Sequence, residues 1–119
     1  MNVAVLGASN KPDRYSYKAV KMLGEKGHVV FPVHPGLDDI EGIHVYKSLE
    51  DIPDPLDTIT VYLSAANSNR IAESILNSRP RRVIFNPGAE NPELEARLQA
   101  EGVNVVEACT LVLLSTGQF

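Results

Sequence analysis

The first loop of the chain carries residue types that bind phosphate groups. It follows an apolar run at residues 3–6, and its chemistry-bearing residues are Gly7, Ala8, Ser9, Lys11 and Arg14. Glycine lets backbone amides approach a ligand closely, and Lys and Arg side chains pair with phosphate oxygens, Arg in bidentate fashion. A helix that begins just after the loop would add free amides and the positive end of its dipole. The spacing therefore predicts a phosphate-binding turn.

This turn departs from the Gly-x-Gly-x-x-Gly fingerprint of dinucleotide-binding proteins. Ser9 stands where the second glycine belongs, and Pro12 stands where the third belongs. The second apolar run ends in Val33 and is followed by His34 and Pro35, without the acidic residue that binds the ribose of NAD. These departures favour a protein that binds another phosphate-bearing nucleotide. The alternative is an NAD(P)-binding oxidoreductase or redox sensor.

The segments that would position this loop alternate between strand and helix patterns. Five continuously apolar runs indicate strands buried on both faces, and they lie at residues 3–6, 29–33, 58–63, 82–85 and 103–106. Helical spacing follows the first, third, fourth and fifth runs, and a short helical turn is expected in the irregular second crossover. The pattern predicts one domain over residues 1–119, with an α/β, Rossmann-like, doubly wound five-stranded parallel sheet of strand order 3-2-1-4-5.

In a sheet of this kind, ligands bind beyond the carboxyl-terminal ends of the strands, where the strand order reverses. The loops at that edge add further candidate contacts to the turn at Gly7. These residues are His34, Pro35, Ser64, Asn86, Pro87 and Gly88, with Cys109 after the fifth run. A lone cysteine is most simply a buried, inert small hydrophobe, and we expect that of Cys109.

An ordered set of short motifs resembles the small stand-alone CoA-binding domain family. The motifs are residues 5–9, 14–15, 33–35, 42 with 46–49, and 86–89. They are similar to the amino-terminal domain of the succinyl-CoA synthetase alpha subunit and of ADP-forming acyl-CoA synthetases. The resemblance implies coenzyme A as the ligand. It also implies that Gly7, Ala8 and Ser9 contact the phosphates of CoA and that Arg14 and Tyr15 flank them. Val33 and Pro35 would contact the adenosine, and the loops at Ser64 and 86–88 would border the ligand.

Two positions depart from the family pattern. The family usually has Asn where this chain has His34, and a basic residue often follows the next proline, where this chain has Gly36, Leu37 and then two aspartates. The cation for the 3′-phosphate of CoA is then expected from another residue, with Lys11, Arg14 and Lys18 as the candidates. In the larger synthetases the resemblance places phosphohistidine and acyl-transfer chemistry in other domains, so we expect binding without catalysis.

Composition narrows the remaining function classes. The net charge of −4 and the lack of a basic run argue against nucleic-acid binding, and no apolar run approaches the roughly 20 residues that span a bilayer. A single cysteine, and an apolar strand directly after Met1, predict a cytoplasmic setting. The three histidines are too scattered for a metal site. The remaining alternative is an interaction scaffold whose apolar tail at 111–114 packs against a second copy, as a homodimer, or against a partner protein.

Overall fold

A computed structural model describes residues 1–119 and confirms the predicted fold class. Five parallel strands form one sheet, and the two remaining strands form a small antiparallel hairpin. In chain order the elements are β1 (Asn2–Leu6), α1 (Tyr15–Glu25), β2 (Val29–Val33), β3 (Asp39–Ile40), β4 (Ile43–His44), a 3₁₀ turn (Leu49–Asp51), β5 (Thr58–Val61), α2 (Ala65–Arg70), α3 (Ala72–Asn77), β6 (Arg82–Phe85), α4 (Pro92–Ala100), β7 (Asn104–Glu107) and α5 (Thr110–Ser115).

The predicted strand order was wrong. The sheet runs β2-β1-β5-β6-β7, which is 2-1-3-4-5 when only its own strands are counted. Strand β2 is therefore an edge strand rather than an interior one. Its residue Pro32 gives the physical reason, because its backbone oxygen accepts from the amide of Tyr46 on the outer side of the sheet, and a proline there has no N–H for a neighbouring strand. The strand order reverses between β1 and β5.

Apolar side chains fill both sides of the sheet, as continuously apolar strands predict. The expectation was wrong for β7, an edge strand whose two valines are only half-buried and whose end residues are exposed. On one face the core includes Leu23 of α1 and Leu114 of α5, and on the other it includes Ile75 of α3 and Leu98 of α4. Helix α4 begins after Asn91, whose side chain accepts a hydrogen bond from the Leu94 amide at 3.2 Å, and proline occupies its first turn. None of the helices is both long and apolar enough to cross a membrane.

Two regions are more finely divided than the sequence pattern predicts. The helical pattern after β5 is split into α2 and α3 at Ile71, whose backbone (φ −117°, ψ 21°) leaves the helical region. The second crossover contains the β3–β4 hairpin, turned by Glu41 (φ 48°) and Gly42 (φ 86°). Two consecutive residues with positive φ are what a tight hairpin turn requires. The helical turn expected in this crossover is present at Leu49–Asp51.

Candidate functional site

Gly7 follows β1 in a backbone conformation that favours glycine and in a tightly packed space. Its φ is +80°, and a Cβ atom at this position would lie 3.0 Å from Leu63 Cδ2 and 3.1 Å from the backbone oxygen of Tyr62. The turn is therefore pressed against the end of β5, at the point where the strand order reverses. The positive φ and these contacts favour glycine on their own account, and the approach of a ligand to the Gly7 backbone stays a prediction.

The loop after Gly7 leads to a helix end with free donors. Helix α1 has no side-chain cap at Arg14 and no acidic residue in its first turn. The amides of Tyr15, Ser16 and Tyr17 have no acceptor within the chain. The Ser9 hydroxyl accepts a hydrogen bond from the Lys11 amide at 3.0 Å, which folds the loop back toward this end. Free amides and the positive end of the helix dipole favour an anion here.

A cleft of about 730 Å³, the first cleft, opens over this helix end. It brings together the predicted Gly7 turn and two of the three predicted cations, Lys11 and Arg14. Its lining is Gly7, Ala8, Ser9, Asn10, Lys11, Asp13, Arg14, Tyr15, Ser16, His34, Leu37, Tyr62 and Leu63. Lys18 does not line it, and its ammonium lies over the Tyr15 ring, 5.6 Å from the centroid. The charged side chains Lys11 and Arg14 and the free amides thus face one space suited to a phosphate group.

A second cleft, of about 450 Å³, lies on the other side of the same sheet edge. It shares Gly7, His34 and Leu63 with the first cleft, so the two adjoin over the end of β1. Its other lining residues are Leu6, Val33, Pro35, Lys47, Ser48, Leu49, Glu50, Asn67, Arg70, Ile71 and Ser74. The predicted Val33 and Pro35 therefore lie in a different part of the site from Ser9 and Arg14, and His34 borders both parts.

The hydrogen bond of His34 defines which ring nitrogen can meet a ligand. Its Nδ1 accepts from the Gly36 amide at 2.8 Å. An accepting Nδ1 carries no proton, so the neutral ring is protonated at Nε2, and that nitrogen is a donor. Gly36 is close enough that a Cβ atom there would lie 3.2 Å from the His34 ring, so its lack of a side chain gives the ring room.

The predicted residues after β6 line neither cleft. Asn86 is only 2% exposed, and its Nδ2 donates to Thr60 Oγ1 at 2.7 Å and to the Val61 backbone oxygen at 3.0 Å. Its Oδ1 accepts from the Thr110 amide at 2.8 Å. Asn86 therefore joins β5, β6 and the start of α5, and its polar atoms already have partners in the chain. Pro87 and Gly88 are exposed beside it.

Two further predicted residues, Ser64 and Cys109, line neither cleft. Ser64 caps α2, accepting from the Asn67 amide at 3.3 Å. Cys109 is free just before α5 and is only half-buried, so it is more exposed than we expected. No group of histidine, cysteine and acidic side chains is arranged to hold a metal ion.

Tyr62 forms part of the first cleft, although the sequence pattern did not single it out. Its hydroxyl is buried beside Thr60 and Thr110 without a hydrogen bond of good geometry to either. Burial raises the pKa of Tyr62 to about 12. The side chain is therefore neutral at physiological pH and gives the cleft an aromatic wall without a charge. Its place directly after a buried strand is the signal that could have identified it.

Comparison with known proteins adds family information to this geometry. A family model described as a CoA binding domain matches residues 1–115. The uncharacterized protein YneT of Bacillus subtilis is 29% identical over 104 residues, which are 87% of this chain and 77% of that protein. The alpha subunit of an ADP-forming acetate–CoA ligase from Pyrococcus furiosus is 39% identical over 56 residues, but this match covers 46% of the chain and 12% of the subunit. A crystal structure of an uncharacterized protein superposes with a TM-score of 0.93 at 38% identity, covering 99% of this chain and 97% of that one.

Proposed function

Because the chain belongs to the CoA binding domain family, we propose that it binds coenzyme A or an acyl-CoA across the two adjoining clefts. The observation that carries this proposal is the uncapped start of α1, which opens into the first cleft beside Arg14 and Lys11. A pyrophosphate there would accept from free amides and pair with the Arg14 guanidinium.

The second cleft suits the adenosine part of the same ligand. Its walls include Val33, Leu49, Leu63 and Ile71, which offer apolar surface to a flat base. His34 stands between the clefts with Nε2 as a donor. A nucleotide lying over Gly7 would therefore place its phosphates on one side of the sheet edge and its base on the other.

We propose that the protein acts through binding alone, as a carrier, a sensor or the partner of another protein, in the cytoplasm. The chain spans only 12% of the length of the ligase subunit that it matches, so the activity of that enzyme is not transferred to it. The test is incubation with acetyl-CoA, ADP and phosphate. We expect the protein to form no ATP and to release no CoA. Formation of either product that depends on the presence of this protein would overturn this part of the proposal.

Ligand identity is tested by mass spectrometry of protein purified under non-denaturing conditions and by thermal shifts with CoA and NAD. We expect CoA to raise the melting temperature more than NAD at equal concentration, because a ligand bound only by the folded state stabilises it according to its saturation. Arg14→Ala should reduce the CoA shift. Lys26→Ala, which changes an exposed residue just after α1 that lines neither cleft, should not reduce it. A larger shift with NAD would reject CoA in favour of a dinucleotide.

A further inference from the structure

The second cleft contains two cationic side chains, Lys47 and Arg70, that were not among the cations considered for the 3′-phosphate from the sequence. We propose that Lys47 and Arg70 form a second phosphate-binding site there, which recognises the ribose 3′-phosphate of CoA and distinguishes it from nucleotides that lack this group. This inference rests on the proposed function. It also gives a source for the positive charge that is missing after Pro35, where the family often has a basic residue.

Lys47 reaches back to the loop that lacks this charge. Its ammonium donates to the backbone oxygen of Leu37 at 3.0 Å and to Asp38 Oδ1 at 2.9 Å. The lysine thus places a cation at the loop after β2, although it comes from the segment after β4. An ammonium has three N–H donors, so one remains beyond the two hydrogen bonds to Leu37 and Asp38. It can therefore bind a phosphate oxygen while it stays attached to Leu37.

The ion pair with Asp38 is a weak competitor for this lysine. The side chain of Asp38 is 94% exposed and that of Lys47 is 51% exposed. Ion pairs in such surroundings contribute little to stability because water and salt screen them. Asp38 should nevertheless repel an incoming phosphate, so its charge is expected to lower the preference for CoA.

Arg70 approaches the cleft from a different element. It is the last residue of α2 and makes no ion pair, since the three salt bridges of the chain all involve other residues. Its planar guanidinium is free to bind phosphate oxygens in bidentate fashion. At the carboxyl-terminal end of α2 the positive charge of Arg70 also interacts favourably with the negative end of the helix dipole. This interaction would stabilise the helix without any ligand. Ligand discrimination, rather than stability, is therefore the property that tests it.

The cations considered from the sequence lie elsewhere. Lys11 and Arg14 line the first cleft, where they face the free amides of α1. Lys18 lines neither cleft. One ligand that spans both clefts thus meets Arg14 with its pyrophosphate and Lys47 with a phosphate at its adenosine end. Removal of Arg14 should weaken CoA and dephospho-CoA alike, whereas removal of Lys47 should weaken CoA alone.

The experiment is calorimetric titration of the full chain with CoA and with dephospho-CoA. A charge-assisted contact makes the expected preference for CoA about tenfold to a hundredfold. The combined change Lys47→Ala and Arg70→Ala should bring the two affinities close together and leave dephospho-CoA binding intact. Asp38→Asn should increase the preference by about twofold to fivefold, a gain that a folding defect cannot produce. Lys26→Ala is the matched control and should leave the preference unchanged.

The outcomes separate this inference from the function on which it rests. A preference that survives the double substitution would overturn the assignment to Lys47 and Arg70 while CoA binding stands. Equal affinities of the unaltered protein for CoA and dephospho-CoA would also overturn it. Binding of neither ligand by the unaltered protein would reject the proposed function, and the inference with it.

Discussion

Replacing Gly7 with alanine should destabilise the protein far more than the same change at Gly27. Both glycines have positive φ, +80° and +86°. Such a conformation costs an L-residue roughly 1–2 kcal/mol. A Cβ atom at Gly27 would meet nothing within 4 Å, whereas at Gly7 it would press on the Tyr62 backbone oxygen and Leu63. Leucine can rotate away, but the carbonyl is held in the chain.

The crowding at Gly7 should add about 1–3 kcal/mol, the usual cost of forcing atoms into packed space. Gly7→Ala should therefore lose about 2–5 kcal/mol and Gly27→Ala about 1–2 kcal/mol. Alanine also reduces the entropy of the unfolded chain, but it does so equally at both positions, so this effect cancels in the comparison. The difference between the two variants isolates the contact with the end of β5.

Urea unfolding of both variants, followed by circular dichroism, measures this difference. The slope of free energy against urea must be the same in both for the comparison to hold. Equal losses in the two variants would refute the crowding argument. The result also bears on ligand binding, because Gly7 variants lose stability whether or not a ligand meets the turn. Arg14 is therefore a better probe of phosphate binding than Gly7.

Three further predictions concern stability. Asn86→Ala leaves the buried Thr110 amide without its acceptor and should lower the free energy of unfolding by about 2–4 kcal/mol in urea titrations; an effect below 1 kcal/mol would contradict a structural role. Because the pKa of Tyr62 is raised to about 12, the unfolded chain loses this proton first, so stability should fall as pH rises above 10, less so in Tyr62→Phe. His28 has its pKa lowered by burial and by the nearby amino terminus, so the unfolded chain binds its proton more readily. Stability should therefore fall as pH drops through 6.5, and a melting temperature as pH-dependent in His28→Gln as in the unaltered protein would contradict this.

The sequence predicted most of the fold because its strands and helix ends are marked locally. Apolar runs identified all five strands of the sheet, although the fifth, β7, is only half-buried. The residues Asn91 and Pro92 mark the start of α4. Strand order was mistaken because apolarity is similar for central and edge strands. The distinguishing residue was Pro32, whose missing N–H confines its strand to an edge.

The candidate site was predicted where one loop supplies several groups and missed where distant segments converge. Gly7, Ser9 and Arg14 lie close together in the sequence and share the first cleft. Asn86 follows a strand end, but that position does not reveal that its side chain turns inward to bond Thr60. Arg70 follows no strand directly, and only the packing of α2 beside the second cleft brings it to the site.

Pro32 also affects how the sheet can meet other chains. An exposed strand edge is a template for adding a strand from another molecule. On the outer side of β2 the proline offers no N–H, and its backbone oxygen and the His34 amide are already bonded to Tyr46. A foreign strand would find few backbone partners at this edge. Intermolecular β-pairing is therefore expected at the opposite edge, along β7, so charge placed at residues 104–106 is the change that should best limit aggregation through the sheet.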